Sequence, residues 1–238
     1  MEISFDTITL GLIWFVVFLF STTCHEAAHA LVAKLGGDPT ASGQVTFNPL
    51  PHVQREPFGM VVVPVISYVL GGWMMGWASA PYDPLWAYRH PHRAARMALA
   101  GPAANFTLML IGAAAIRIGL ALGTFQAPAT VTFTRITEAV DPTGISSLLA
   151  IFFSVLFMLN LILGAFNLLP VPPLDGNLGI TIMMSEDGAR RFLDMFRQPG
   201  FGMMGILIAW ILFGRVFSVI WTVALNLLYT GITSYGSF

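Results

Sequence analysis

Cys24-His25-Glu26-Ala27-Ala28-His29-Ala30 stands at the end of a run in which residues 8–24 carry no charge at all. A helix through this region places His25 and His29 at i and i+4, so both imidazoles leave the same face. That spacing allows two neutral ring nitrogens to reach one zinc ion at about 2.0–2.1 Å each. Glu26, beside the pair, is in position to take a proton from an activated water. A single charge at the centre of a membrane helix costs roughly 2.5–3.5 kcal/mol on insertion scales. A carboxylate and two imidazoles in such a setting therefore point to function. The alternative is a polar cluster that only hydrogen-bonds within a helix bundle.

The surrounding composition agrees with a membrane setting. The chain is 56% hydrophobic and 10% charged, with a mean hydropathy of +0.75. Soluble domains carry about 25% charged residues. A net charge of −1 suggests no nucleic-acid partner. The single cysteine, Cys24, excludes an internal disulfide. The first apolar segment lacks a basic leader region, so it is expected to be retained rather than cleaved as a signal peptide. The expected fold class is an all-α polytopic membrane protein, a helix bundle forming one domain over residues 1–238.

Apolar segments run over residues 8–35, 60–80, 98–122, 146–169 and 200–229, each near or above the ~20 residues a spanning helix needs. Within residues 36–57, Gly43-Gln44-Val45-Thr46-Phe47-Asn48 alternates apolar and polar side chains, which predicts a short strand ended by Pro49 and Pro51. Such a strand could pair with an unwound substrate by edge addition. Residues 77–91 read as an aromatic interfacial loop, and residues 185–200 as a surface loop with a short amphipathic helix.

The fourth segment ends in Asn167-Leu168-Leu169-Pro170-Val171-Pro172-Pro173-Leu174-Asp175-Gly176. The prolines cannot continue a regular helix, and such a break at membrane depth must be buried in protein or line a wet cavity. A catalytic zinc takes three protein ligands and a water. His25 and His29 supply two, and Asp175 is the natural third. Asp175 could also act as a helix N-cap, and the two roles are compatible.

With these residues in view, the chain resembles the site-2 protease family of intramembrane zinc metalloproteases. The motifs that carry the resemblance are His25-Glu26-Ala27-Ala28-His29, Gly101-Pro102-Ala103-Ala104-Asn105 and the segment from Asn167 to Gly176 quoted above. Asn48-Pro49-Leu50-Pro51-His52 and Gly76-Trp77-Ala78 look like a compact prokaryotic branch of it, without PDZ or nucleotide-sensing CBS modules. The resemblance implies one zinc per chain held by His25, His29 and Asp175, with Glu26 as the general base. It also implies that Asn105 and Asn167 meet the substrate backbone or developing oxyanion; Asn167 has the alternative of a structural hydrogen bond. The chain departs from the family pattern at Asn177 and Leu178, where a second Gly and an Arg are common, and at Ser79-Ala80 in place of Lys-Pro. The implied function is hydrolysis of peptide bonds in transmembrane segments of membrane-protein substrates, in a prokaryotic cell membrane. The competing readings are a catalytically silent scaffold of the same fold and an ion- or proton-translocating protein.

Topology gives an independent expectation. Both His25/His29 and Asp175 lie toward the C-terminal ends of their segments, so segments one and four must run in the same direction to share a metal. Two full crossings between them would forbid this. Segment two, with Pro64, Gly71, Gly72 and Gly76, is expected to re-enter on the side it left, as a small hairpin or loop. Lys34, Arg55, Arg89, Arg93, Arg96, Arg190, Arg191 and Arg197 then fall on the motif side, with Arg117 and Arg135 opposite. Basic loops stay cytoplasmic, so the site is expected to open toward the cytoplasm. Ser21, Thr22 and Thr23 could line a polar access path, or bond back to their own helix.

Overall fold

The computed structural model describes residues 5–196 and 200–235. The first helix, α1 (Phe5–Leu35), carries the His25/His29 motif in its second half. It stops where Gly37 adopts φ 100°, a left-handed conformation that costs glycine little. The Asp38 N–H then turns back to the Ala33 carbonyl at 2.9 Å. Trp86 Nε1 and an Arg93 guanidinium N–H both donate to the Gly36 carbonyl at 3.1 Å, satisfying the helix end just beyond the motif.

Residues 43–48 do not form the expected strand. Ser42–Gln44 is a 3₁₀ turn, and α2 (Leu50–Arg55) follows shortly after. The reason is local side-chain bonding: Thr46 Oγ1 accepts from Asn48 N–H at 3.0 Å, and Asn48 Oδ1 accepts from Leu50 N–H at 3.0 Å. Short polar side chains offer the backbone partners that a ladder would otherwise supply. His52 is 1% exposed within α2, with Nε2 3.3 Å from the Thr46 carbonyl.

Segment two is not a full crossing. A π-helical turn (Phe58–Val62) leads into α3 (Val63–Gly71), which ends at Gly72 with φ 75°. The chain then returns in extended form beside its own helix. Met75 N–H donates to Ser67 Oγ at 3.0 Å, and Trp77 N–H reaches the Gly59 carbonyl at 3.1 Å. Gly59 and Gly76 face each other so closely that a Cβ on either would strike the other strand of the excursion. The chain is thus back at the level of Gly59 before α4 (Pro84–Arg89) begins. This is a re-entrant helix and loop rather than a hairpin.

The long helix α5 (Pro91–Ala121) runs antiparallel to α1: His29 meets Met97, while His25 meets Asn105. A two-stranded pairing, β1 (Phe125–Gln126) with β2 (Glu138–Ala139), sits in the following connection. Then α6 (Ile145–Asn167) runs parallel to α1, since Ser21 meets Asn160 and His25 and His29 meet Asp175. Beyond the break come α7 (Asp175–Gly179), a 3₁₀ turn (Ile180–Met183), the amphipathic α8 (Glu186–Met195) and α9 (Phe201–Leu228).

Among the described residues, four helical stretches are long and apolar enough to cross a membrane: Thr7–Leu35, Pro91–Ala121, Ile145–Asn167 and Gly202–Leu228. The third has 61% of its apolar window buried and the last 17%, so α6 is the centre of the bundle and α9 its edge. One apolar cluster joins Trp14 and Phe18 of α1 to Tyr68, Leu156 and Leu159. A second joins Ile116, Phe157 and Met158 to Trp221 and Leu225 of α9. Arg117 caps the end of α9 by donating to the Leu228 carbonyl at 3.1 Å. Arg215 projects outward from α9, and Arg197 lies outside the described residues.

Asp38 ties the end of α1 to the return of segment two. Its carboxylate accepts from Asp83 N–H at 2.7 Å and from Thr40 N–H at 3.0 Å. Burial by itself would raise this carboxyl, but the bonds from Thr40 and Asp83 favour its charged form and hold it below its ordinary value. The stabilisation is therefore fully present above the unfolded-state value of 3.8 and is lost as pH falls through the lower folded value. Asp38→Ala is expected to lower stability by about 1–2 kcal/mol at neutral pH, the loss of charge-assisted hydrogen bonds to part-buried donors. Thermal unfolding in detergent checks this, and the loss should shrink as the pH is taken below the carboxylate range.

Candidate metal centre

Three side chains, two from α1 and one from the residue that follows the proline-rich break, converge on one point. His25 Nε2 and His29 Nε2 lie 2.9 Å apart. Asp175 Oδ2 lies 3.0 Å from His25 Nε2, and Asp175 Oδ1 lies 3.3 Å from His29 Nε2. Among the described residues this is the group of His, Cys, Asp and Glu whose ligand atoms come together within 4.8 Å. A tetrahedron with bonds of about 2.0–2.1 Å has edges of about 3.3 Å, so the separations suit a small cation at the centre. Both histidines are buried, at 8% and 7% exposure.

The hydrogen bonds behind the histidines decide which ring nitrogens face inward. His29 Nδ1 lies 2.8 Å from the Met97 carbonyl, which can only accept, so the proton sits on Nδ1. A carbonyl has two lone pairs, so Met97 can serve this ring as well as its own helix. His25 Nδ1 lies 2.5 Å from Asn105 Oδ1. With both protons held on Nδ1, both Nε2 atoms present lone pairs, facing a carboxylate. Asp175 Oδ2 is buried and has no hydrogen bond. Three acceptors packed together with no donor among them fit a cation, and histidines held from behind in this way are the usual outer support of a metal ligand.

The backbone makes room for this cluster at two glycines. A Cβ at Gly101 would sit within 2.5 Å of His25 Nε2 and closer still to His29 Nε2. Gly176 is pressed against the Leu168 carbonyl, which lets the break fold back on the end of α6. The intervening residues are ordered by tight turns, with Val171 N–H on Leu169 at 2.8 Å and Leu174 N–H on Val171 at 3.0 Å. Asp175 is the first residue of α7, whose N-cap is Leu174. The carboxylate is thus not the N-cap and is turned to the histidines.

The other expected site residues are placed as follows. Glu26 is in α1 beside His25 and is 6% exposed. Asn105 is fully buried, and its Nδ2 donates to Asn160 Oδ1 at 2.8 Å, so both ends of its amide face protein. Asn167 is half-buried in the last turn of α6, with Nδ2 donating to the Leu163 carbonyl at 2.9 Å. Thr22 bonds back to the Phe18 carbonyl at 2.8 Å, and Ser21 accepts from Asn160 Nδ2 at 2.9 Å. Thr22 thus follows the helix-bonded alternative, whereas Ser21 is tied across to α6. Cys24 is packed in the apolar cluster around Trp14.

Residue-level reasoning gives Gly101 no role of its own and reads Asn160, seven residues before Asn167 on the same helical face, as a structural amide. The signal for Asn160 was available: an amide in the middle of an apolar helix needs a partner. The signal for Gly101 was its place in a quoted motif, but only the approach of α5 to α1 gives that glycine its purpose.

Comparison with known proteins agrees with this geometry. Residues 13–212 match the family model described as "Peptidase family M50". The chain is 34% identical over 168 residues to a protein of Bacillus subtilis (strain 168) named "Putative zinc metalloprotease YwhC", an alignment covering 68% of this chain. It spans 64% of that relative, just under two thirds of its length. No solved structure matches the chain. Because the matched region takes in α1 with its two histidines, the Gly101–Asn105 motif and the break that carries Asp175, the chain belongs to peptidase family M50, the site-2 protease family.

Proposed function

We propose that this chain is an intramembrane zinc endopeptidase, acting as one domain on transmembrane segments of membrane-protein substrates. In this reading His25, His29 and Asp175 hold one zinc ion and Glu26 is the general base. The observation that carries it is the convergence of the two Nε2 atoms and the Asp175 carboxylate on one point, with Asn105 Oδ1 and the Met97 carbonyl behind the two Nδ1 atoms. Membership of family M50 and the printed name of the Bacillus subtilis relative support zinc as the metal and peptide bonds as the target.

A bound zinc supplies Lewis acidity and makes water acidic enough to be a nucleophile at neutral pH. Glu26, beside His25, would be the group that accepts a proton from the attacking water and returns it to the leaving amine. His25 and His29 keep their Nδ1 protons throughout, held by Asn105 and Met97. Asn167, at the end of α6 beside the break, is assigned to the substrate backbone, and Asn105 to orientation of His25. A substrate helix hides its carbonyls, so the cleaved bond must be unwound before Glu26 can act. Lys34, Arg55, Arg89, Arg93 and Arg96 flank the helix ends nearest the site, which supports a cytoplasmic opening in a prokaryotic cell membrane.

The test is zinc analysis and a cleavage assay on the purified protein and on Asp175→Ala. The parent is expected to hold one zinc per chain and to cut a transmembrane substrate. Asp175→Ala should weaken zinc at least as much as the about 10–100-fold that outer-support changes cost, and cleavage should fall with it. A parent that binds no zinc, or an Asp175→Ala protein with full zinc and full cleavage, would overturn the assignment.

A further inference from the structure

Asn160 is buried in the middle of α6 with no exposure, and so is Ser21, which faces it from α1. An asparagine in this position must place four hydrogen-bonding directions inside protein. Its Nδ2 donates to the Leu156 carbonyl at 2.9 Å and to Ser21 Oγ at 2.9 Å. Its Oδ1 accepts from Asn105 Nδ2 at 2.8 Å. The amide of an asparagine can be turned over in its socket, exchanging donor for acceptor. Here it cannot be, because a backbone carbonyl accepts and never donates.

The consequence runs along the chain of bonds. The Leu156 carbonyl demands the nitrogen end of Asn160, so Asn160 presents its oxygen to Asn105. Asn105 must then give its nitrogen end to Asn160 and its oxygen end to His25 Nδ1, 2.5 Å away. That oxygen keeps the proton on Nδ1 and leaves the Nε2 lone pair facing Asp175 and His29. His29 needs no such device, because the Met97 carbonyl lies directly behind it.

We infer that Asn160 is a positioning residue for the metal site: it fixes the direction of the Asn105 amide, and through it the ring nitrogen that His25 offers to the metal. This rests on the proposed zinc site and adds a residue two hydrogen bonds away from it. Ser21 is not part of this device: it fills the second donor direction of Asn160, and the Leu156 carbonyl alone sets the amide's orientation.

Zinc affinity of the full chain in detergent, measured by chelator competition, tests this without any cleavage assay. Asn160→Leu is expected to weaken zinc by about 10–100-fold, the range for outer-support partners of metal-ligating histidines. Asn160→Ser, smaller and still polar but too short to reach Asn105, should do the same and covers the case in which the leucine variant fails to fold. Ser21→Ala should bind zinc like the parent. The deciding arm uses Asn105→Asp, whose carboxylate accepts from His25 whichever way it lies. In that background Asn160→Leu should cost no further affinity, and the double variant should recover most of what Asn160→Leu loses alone. A parent-like affinity in both Asn160 variants overturns the inference, as does an equal loss from Asn160→Leu in both backgrounds, the behaviour of a residue that only packs. A parent with no zinc affinity would overturn the proposed function instead, which is a separate and recognisable result.

Discussion

Glu26→Gln is expected to retain its zinc and to lose cleavage by about 10²–10⁴-fold, the usual contribution of a positioned proton acceptor. Glutamine matches the shape of glutamate, and Glu26 at 6% exposure has little room for a rearranged side chain. None of the three converging ligand atoms belongs to Glu26, so its neutralisation leaves the metal cage in place. What disappears is the only property the amide cannot copy, the ability to take up a proton and release it. Metal content and turnover must be measured on the same preparation, in detergent or in liposomes. Parent-level turnover by Glu26→Gln would remove the base from the mechanism and leave the metal site standing.

Gly101→Ala is expected to produce a defect of similar scale by a different route. In the interior of a helix, alanine is favoured over glycine by roughly 0.5–1 kcal/mol, so helix propensity alone predicts a slightly more stable protein. The site predicts the opposite for metal. The added methyl would occupy the space of both Nε2 atoms, too close for either ring to stay where it is. Because α5 is held against α1 by the His29–Met97 and His25–Asn105 bonds, it cannot simply step back without giving up the partners that orient the rings. Zinc affinity should therefore fall by more than the roughly 10–100-fold typical of outer-support changes, and the unfolding temperature of the metal-free protein should fall as well, because overpacking of about 1–3 kcal/mol outweighs the gain in helix propensity. Normal zinc affinity in Gly101→Ala would mean that the helices separate more easily than this packing allows.

The two effects differ in what they say about the fold. Glu26 is local: its role follows from standing next to His25 on one helix. Gly101 is tertiary: it matters because a second helix passes within touching distance of the first. The same division runs through the rest of the molecule. The spans were readable because apolar length is a property of consecutive residues, and α1, α5, α6 and α9 fall near their expected places. The re-entrant excursion was readable from a parity argument, since α1 and α6 had to be parallel for His25, His29 and Asp175 to meet. The strand expected over residues 43–48 was not there, because alternation of side chains competes with hydrogen bonds from Thr46 and Asn48 to nearby backbone. Periodicity counts apolar positions and cannot weigh that competition. The short pairing of Phe125–Gln126 with Glu138–Ala139 was equally invisible, since two residues per strand leave no period to detect.

By itself the sequence determined the chemistry on offer: two imidazoles one helical turn apart, a carboxylate beside them, and an aspartate after a proline break in a membrane-length chain. Those follow from residue type and spacing within a single element, where geometry is set by 3.6 residues per turn and by the rigidity of proline. Only the tertiary structure decided how that chemistry is aimed. Asn105 reaches His25 across 80 positions of chain and Asn160 reaches Asn105 across 55, and no local pattern encodes such pairings. Which nitrogen His25 presents is settled by the Leu156 carbonyl on another helix, because a backbone carbonyl can only accept and so fixes which end of the Asn160 amide faces it.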